Sequence, residues 1–217
     1  MAIKSNLFAA VGGYHGRAGQ QGKVGIFARL ADRGEWEQKV ADVEGCCVAV
    51  HPRDPRTIFA GTKDGIYRSK DGGATFEKMN FPFEGISVWS FLFDARDDQV
   101  IYAGGSPIMV YRSVDGGMSW VSLPNSTVPD PAENIPFKCR VMCMVQHPLK
   151  PDTIFAAMEV NGVTRTDDGG ASWTNCSADL IAKADLDQYK SSILTEVDAE
   201  GMLDVHAIAI KIGRAHV

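Results

Sequence analysis

The sequence lacks any apolar run long enough to cross a bilayer, so no membrane span is expected. It also lacks runs of like charge and has no basic stripe. With a formal net charge of −5, this argues against nucleic acid or an anionic membrane as the main partner. The N-terminal stretch MAIKSNLFAAVGGYHG carries one lysine but no sustained apolar segment and no clear cleavage site, so no signal peptide is read there. Cysteine is scarce and odd in number: Cys46, Cys47, Cys139, Cys143 and Cys176. Without an export signal, free thiols in a reducing, cytoplasmic setting are expected. Cys139 and Cys143, four apart, would share a strand face, but the adjacent Cys46 and Cys47 would point opposite ways. Buried thiols acting as small hydrophobes are therefore expected rather than a metal site, and no cofactor is implied.

Apolar residues are nonetheless plentiful, at 45% of 217, which is enough for a substantial core. They recur in a pattern. Val48–Phe76, Phe91–Trp120 and Met144–Trp173 line up as three copies of one unit. Each copy has an apolar run, a polar turn, a second apolar run ending in small residues, a hairpin turn and a short strand. Each closes on one octet: SKDGGATF, SVDGGMSW or TDDGGASW.

The chemistry of the octet is structural. Asp71, Asp115 and Asp168 each precede a glycine pair, where a carboxylate accepts hydrogen bonds from its own turn. Phe76, Trp120 and Trp173 open the next strand and are placed to pack beneath that turn. Three equivalent aspartates cannot share one active site, so a catalytic role for them is set aside.

The octets resemble the Asp-box, or bacterial neuraminidase repeat, S/T-x-D-x-G-x-x-W/F. The matching positions are Ser69, Asp71, Gly73 and Phe76; Ser113, Asp115, Gly117 and Trp120; and Thr166, Asp168, Gly170 and Trp173. The resemblance implies an all-β fold, an incomplete β-propeller of four-stranded antiparallel blades with the box in each outer hairpin. The box aspartates recur at 44 and 53 residues, near or above one blade's length of about 40–50.

One partial propeller domain, residues 1–211, is expected. It has a first blade lacking its inner strand over 1–44, blades over 45–80, 86–124 and 139–177, and an orphan inner strand over 204–211. The last six residues, Ile212 to Val217, do not continue the repeat. One back-translation of them, ATCGGAAGAGCACACGTC, runs into a common sequencing adapter whose next codon is a stop. They are expected to be an artefact, and the natural protein is expected to be longer.

Strand order assigns faces. The His51-Pro52 and His147-Pro148 turns fall on the box side. Turns between second and third strands, and links between blades, fall on the other. The enlarged segments Gly12–Lys23, Leu123–Lys138 and Asn175–Asp204 all lie on that other face, and the last of these is expected to be partly helical. There the inner-strand mouths present Trp89, Arg140, Asp204 and His206 as candidate ligand-binding residues. Lys138 is nearby, and Tyr14, His15, Arg17, Glu159 and Asn161 are placed to lean in. The mixture suits a carbohydrate, an organic anion or a protein partner.

The main functional expectation is a non-catalytic Asp-box propeller acting as a ligand- or protein-binding scaffold. The first alternative is a glycoside hydrolase, sialidase-like or another Asp-box glycosidase. Ile135-Pro136-Phe137-Lys138 is not the sialidase F/Y-R-I-P motif, and Asp204 and Glu159 are the carboxylates to consider for a two-carboxylate mechanism. The second alternative is a propeller resembling photosystem assembly factors.

Overall fold

The computed structural model describes residues 5–13, 22–29, 34–124, 126, 138–184, 186–189 and 205–211. Its strands form consecutive antiparallel sheets. The first has three strands, β1 (Leu7–Val11), β2 (Gly25–Arg29) and β3 (Glu37–Val40). The second has β4 (Gly45–Val50), β5 (Ile58–Thr62), β6 (Gly65–Ser69) and β7 (Glu77–Lys78). The third has β8 (Ser87–Phe93), β9 (Ile101–Ser106), β10 (Val110–Ser113) and β11 (Val121–Ser122). The fourth has β12 (Val141–His147), β13 (Lys150–Met158), β14 (Gly162–Thr166) and β15 (Thr174–Asn175). Within each sheet every strand pairs with the next in sequence, and the innermost strands β4, β8 and β12 lie side by side. The architecture is that of an incomplete β-propeller.

The core lies between sheets rather than within one. Phe59, Ile66 and Met79 of the second sheet and its exit meet Val88, Ile101, Ala103, Tyr111 and Trp120 of the third. Leu123, Tyr102 and Val110 then meet Val141, Ile154 and Met158 of the fourth. The second strands are covered on both faces, which is why β5 reads Ile-Phe-Ala-Gly-Thr without polar alternation. Burying each large side chain there contributes about 1.5–3 kcal/mol.

Two contacts repeat from sheet to sheet. In one, the aromatic second residue of each second strand reaches the glycine turn of the next sheet. Phe8 packs on Gly73, Phe59 packs on Gly117, and the Tyr102 hydroxyl donates to the Gly169 carbonyl at 3.2 Å. In the other, a small polar side chain on an innermost strand bonds to the next innermost strand. Ser90 Oγ donates to the Val141 carbonyl at 2.7 Å, and Cys47 Sγ lies 3.6 Å from the Val88 carbonyl oxygen. Gly61 and Gly104 leave the room these bonds need, since a Cβ at either would strike that sulfur or hydroxyl.

The Asp-Gly-Gly turns share one hydrogen-bond pattern. Ser69 Oγ donates to Asp71 Oδ1 at 2.7 Å and accepts from Gly73 N–H at 2.9 Å, while Asp71 accepts from the Thr75 N–H and hydroxyl. Ser113, Asp115, Gly117 and Ser119 repeat it, as do Thr166, Asp168, Gly170 and Ser172. Trp120 and Trp173 donate their indole N–H to the carbonyls of Gly117 and Gly170. Phe76 has no such donor and only packs against the first interface.

Among the described residues Val205–Lys211 is in no sheet, as a strand there would need a neighbour to pair with. The partly helical segment contains a short helix, α1 (Ala178–Ala184), and a single 3-10 turn, Asp187–Tyr189. Ser177 precedes α1, but its hydroxyl is taken up by both the N–H and carbonyl of Val163.

Candidate functional site

Near one end of each innermost strand the ladder slips by one residue. The slips fall between Gly45 and Cys47, between Val88 and Ser90, and between Val141 and Cys143. The extra residues are Cys46, Trp89 and Met142, all partly exposed. A bulge leaves its extra residue outside the pairing and re-aims its side chain. Three bulges at one level therefore build the mouth, and Trp89 is the single aromatic among them. Nothing in the sequence marks these bulges, since they depend on register with the neighbouring strand.

The structure brings together Trp89, Arg140 and Glu159. The Arg140 guanidinium lies over the Trp89 ring, 4.0 Å from its centroid, and Arg140 Nε is 3.2 Å from Glu159 Oε2. The Glu159 N–H also donates to the Arg140 carbonyl at 2.9 Å, so the pair is fixed through backbone as well as side chains. Glu159 and Asn161 belong to the hairpin between β13 and β14, where Val160 sits at φ 63°. A β-branched residue in that region is strained. Asn161 is buried, and its Nδ2 donates to the Glu159 carbonyl at 3.2 Å.

Around this cluster the mouth is charged but paired. Glu44 Oε2 holds Lys63 Nζ at 2.7 Å and accepts from the Gly13 N–H. Lys78 Nζ pairs with Asp64. Burial pushes the Cys46 thiol up to about 12, against the opposing pull of Lys63 and Arg140. A thiol so raised stays protonated near neutrality and is no nucleophile.

Of the remaining candidates, His206 is exposed, in the stretch Val205–Lys211. Asp204, Tyr14, His15 and Arg17 lie outside the described residues, as do most of the three enlarged segments. Lys138 is described and exposed, just before β12.

At the opposite end, between the second and third sheets, a cleft of about 620 Å³ is lined by His51, Arg56, Arg68, Gln99 and Asp115, among others. Its polar groups are largely occupied in holding the fold. His51 Nδ1 accepts from the N–H groups of Arg53 and Asp54, Arg68 bridges Glu77 and the Gly116 carbonyl, and Asp115 closes its own turn.

No family model matches the chain. Over 137 residues it is 28% identical to the xyloglucanase Xgh74A of Acetivibrio thermocellus, covering 46% of this chain and 16% of that protein. Over 87 residues it is 33% identical to the oligoxyloglucan-reducing end-specific xyloglucanase of Emericella nidulans, covering 37% of this chain and 11% of that protein. Among solved structures it is similar to the GH74 xyloglucanase of Xanthomonas campestris, with TM-score 0.55, 15% identity and coverage of 72% of this chain and 28% of that one. It is similar also to the GH74 enzyme of Niastella koreensis, with TM-score 0.55, 18% identity and coverage of 78% and 27%. The chain thus spans only about a sixth of the length of Xgh74A. These structures show the propeller fold. The sequence relatives are glycoside hydrolases, and they overturn the expectation of a non-catalytic ligand- or protein-binding scaffold in favour of the glycoside-hydrolase alternative.

Proposed function

We propose that this chain supplies Asp-box blades and part of the sugar-facing mouth to a glycoside hydrolase acting on xyloglucan-type polysaccharide. The similarity to xyloglucanases over 137 residues carries this reading. The mouth supports it: a partly exposed indole held at a bulge offers a flat apolar surface, and sugar rings bind such surfaces through their C–H faces. The three octets, with one shared hydrogen-bond pattern, support the Asp-box assignment. Their aspartates are engaged in their own turns and hold the scaffold.

Glycoside hydrolysis needs two carboxyl groups flanking the scissile bond. Glu159 is engaged with Arg140, so its role on this reading is to fix the mouth rather than to donate a proton.

The test is to express the full-length protein carrying this stretch and follow reducing-end release from xyloglucan, mixed-linkage glucan and a sialylated glycan. Release from xyloglucan is expected. Release from another glucan alone would move the substrate, and hydrolysis of none would overturn the reading.

A further inference from the structure

The cleft between the second and third sheets holds donors that the fold does not use. His51 lines it and is 6% exposed. Its Nδ1 accepts from two backbone N–H groups, so the neutral ring carries its proton on Nε2. Nε2 has no hydrogen-bond partner among the described residues, yet it is not sealed from solvent. Arg56 and Lys70 line the same cleft, and no described residue makes a hydrogen bond or ion pair with either side chain. They act on the Asp54 and Glu77 carboxylates only through space. Two backbone bonds bring the three residues together. The His51 N–H donates to the Thr57 carbonyl, and the Gly72 N–H, in the turn that follows Lys70, donates to the Arg56 carbonyl, both at 2.9 Å.

The two cations belong to this cleft and not to the repeat. The Gly116 and Gly169 N–H groups donate in the same way to the carbonyls of Gln99 and Asp152, which are thus the counterparts of Arg56. Between the hydroxyl residue and the aspartate of each box, Lys70 is matched by Val114 and Asp167. These two positions are therefore basic in the second sheet, neutral in the third and acidic in the fourth. The acids lining the cleft are already engaged. Asp54 accepts from the Arg56 N–H and the Thr57 hydroxyl, Asp98 is paired with Arg53, and Asp115 closes its own turn. An oxyanion accepts from His51, Arg56 and Lys70 alike, whereas a cation meets none of them.

From the third sheet the cleft is walled by Met118, 56% exposed, where the other two boxes have Ala74 and Ala171. A volume of about 620 Å³ exceeds what an inorganic ion fills and lies within the range of about 300–1,000 Å³ usual for small organic ligands. We propose that this cleft is a binding site for an organic acid. Its carboxylate or phosphate head is held by Arg56, Lys70 and the His51 Nε2–H, and its body lies against Met118. Such a ligand bridges two sheets, so its binding stabilises the fold.

The full-length protein is titrated with glucuronate, glucose 6-phosphate, inorganic phosphate and glucose at about 50 and about 500 mM NaCl, a range over which exposed charges are screened. At least one organic acid is expected to bind about tenfold or more tightly than glucose, to weaken with salt and to raise the melting temperature. Preference for glucuronate assigns a carboxylate head, and preference for glucose 6-phosphate a phosphate head. Arg56→Gln and Lys70→Val install the residues that the third sheet carries at the same positions, so the fold should tolerate them. Each should raise the dissociation constant about tenfold, and the two together should abolish binding. Met118→Ala should weaken the organic acid and leave inorganic phosphate unchanged. Lys150→Ala, an exposed lysine outside the cleft, should change nothing. Glucose binding as tightly as the acids would overturn the proposal, as would binding of none of the four. Acid binding retained in the double variant at unchanged melting temperature would also overturn it. Inorganic phosphate binding as tightly as either organic acid would reduce the site to one for a bare ion and overturn the assignment of a larger ligand.

Discussion

Phe59 of the second sheet lies directly against Gly117 of the third: a methyl group added at Gly117 would come within 2.9 Å of the ring's Cε1. Gly117 also sits at φ +85°, where a side chain strains the backbone. Gly117→Ala should therefore cost about 2–4 kcal/mol, combining left-handed strain with overpacking of a dense interface. The adjacent Gly116 is a control. It too has positive φ, but its nearest neighbour is the flexible end of Gln99, at 3.0 Å. Gly116→Ala should cost about half as much, from strain alone. Denaturant midpoints of the two variants, compared with the parent, decide whether the inter-sheet contact matters.

The turn aspartates should make stability fall in acid. Hydrogen bonds from the Ser119 hydroxyl and N–H, then from the Ser113 hydroxyl and Met118 N–H, pull Asp115 down to about 2, against the opposing effect of burial. Asp71 and Asp168 are held well below the ordinary carboxylate range by the same kind of bonds, led by Thr75 and Ser172. A depressed folded-state pKa contributes stability above the unfolded value, near 3.8, and loses it as pH falls through the folded value. Melting temperature should thus drop between pH 4 and pH 2. Asp115→Asn should flatten part of that drop, because its amide oxygen still accepts but no longer titrates. Asp115→Ala should cost about 1 kcal/mol near neutral pH, since the carboxylate faces water and its loss is partly screened.

Thiol reactivity should divide the cysteines sharply. Burial pushes Cys46 and Cys47 up to about 12, and Cys139 is buried, whereas Cys176 is exposed. Alkylation by iodoacetamide near pH 8, read by mass spectrometry, should mark Cys176 first. Cys46, Cys47 and Cys139 should react only after denaturant is added. Rapid labelling of Cys47 would mean that the contact between β4 and β8 opens in the native state.

The repeat architecture was legible because it is periodic: three octets in register dictate three hairpins with one turn chemistry. Trp89 and Arg140 were legible as mouth residues for the same reason, since strand direction fixes which end of each innermost strand they occupy. Their chemistry was not. That Arg140 spends its charge on Glu159 follows from the hairpin at Val160, whose left-handed backbone no residue type announces. The bulges at Cys46, Trp89 and Met142 were equally hidden, because register is a property of two strands and not of one. Val205–Ile210 has the apolar alternation of a strand, but among the described residues it joins no sheet. The functional expectation failed for a different reason. The shared motifs are scaffold motifs, which say nothing of activity, and the similarity to xyloglucanases emerges only from comparison with relatives.

The first turn of each complete sheet suggests a final test. His51 Nδ1 accepts the N–H groups of Arg53 and Asp54, at 3.3 and 3.1 Å, and His147 Nδ1 accepts those of Leu149 and Lys150, both at 3.1 Å. In the third sheet the equivalent residue is Asp94, whose Oδ1 accepts from the N–H groups of Arg96 and Asp97. Histidine and aspartate thus do one job, presenting an acceptor to two backbone donors that have no strand partner. What the position requires is that acceptor, and a ring is optional. His51→Ala should leave both donors without their acceptor in a turn whose other residues are exposed to water, and lower stability by about 1 kcal/mol. His51→Asn, with a side-chain oxygen at similar reach, should recover much of this. Full recovery is not expected, because the imidazole also packs edge-on against Phe93, with centroids 4.9 Å apart. Both variants should bind neutral oligosaccharide as the parent does, since His51 lies at the end opposite Trp89. Thermal melts and titrations of the pair check both halves. If His51→Asn is as unstable as His51→Ala, the ring contact and not the acceptor holds the turn; if either loses saccharide binding, the assignment of the sugar to the Trp89 end is wrong.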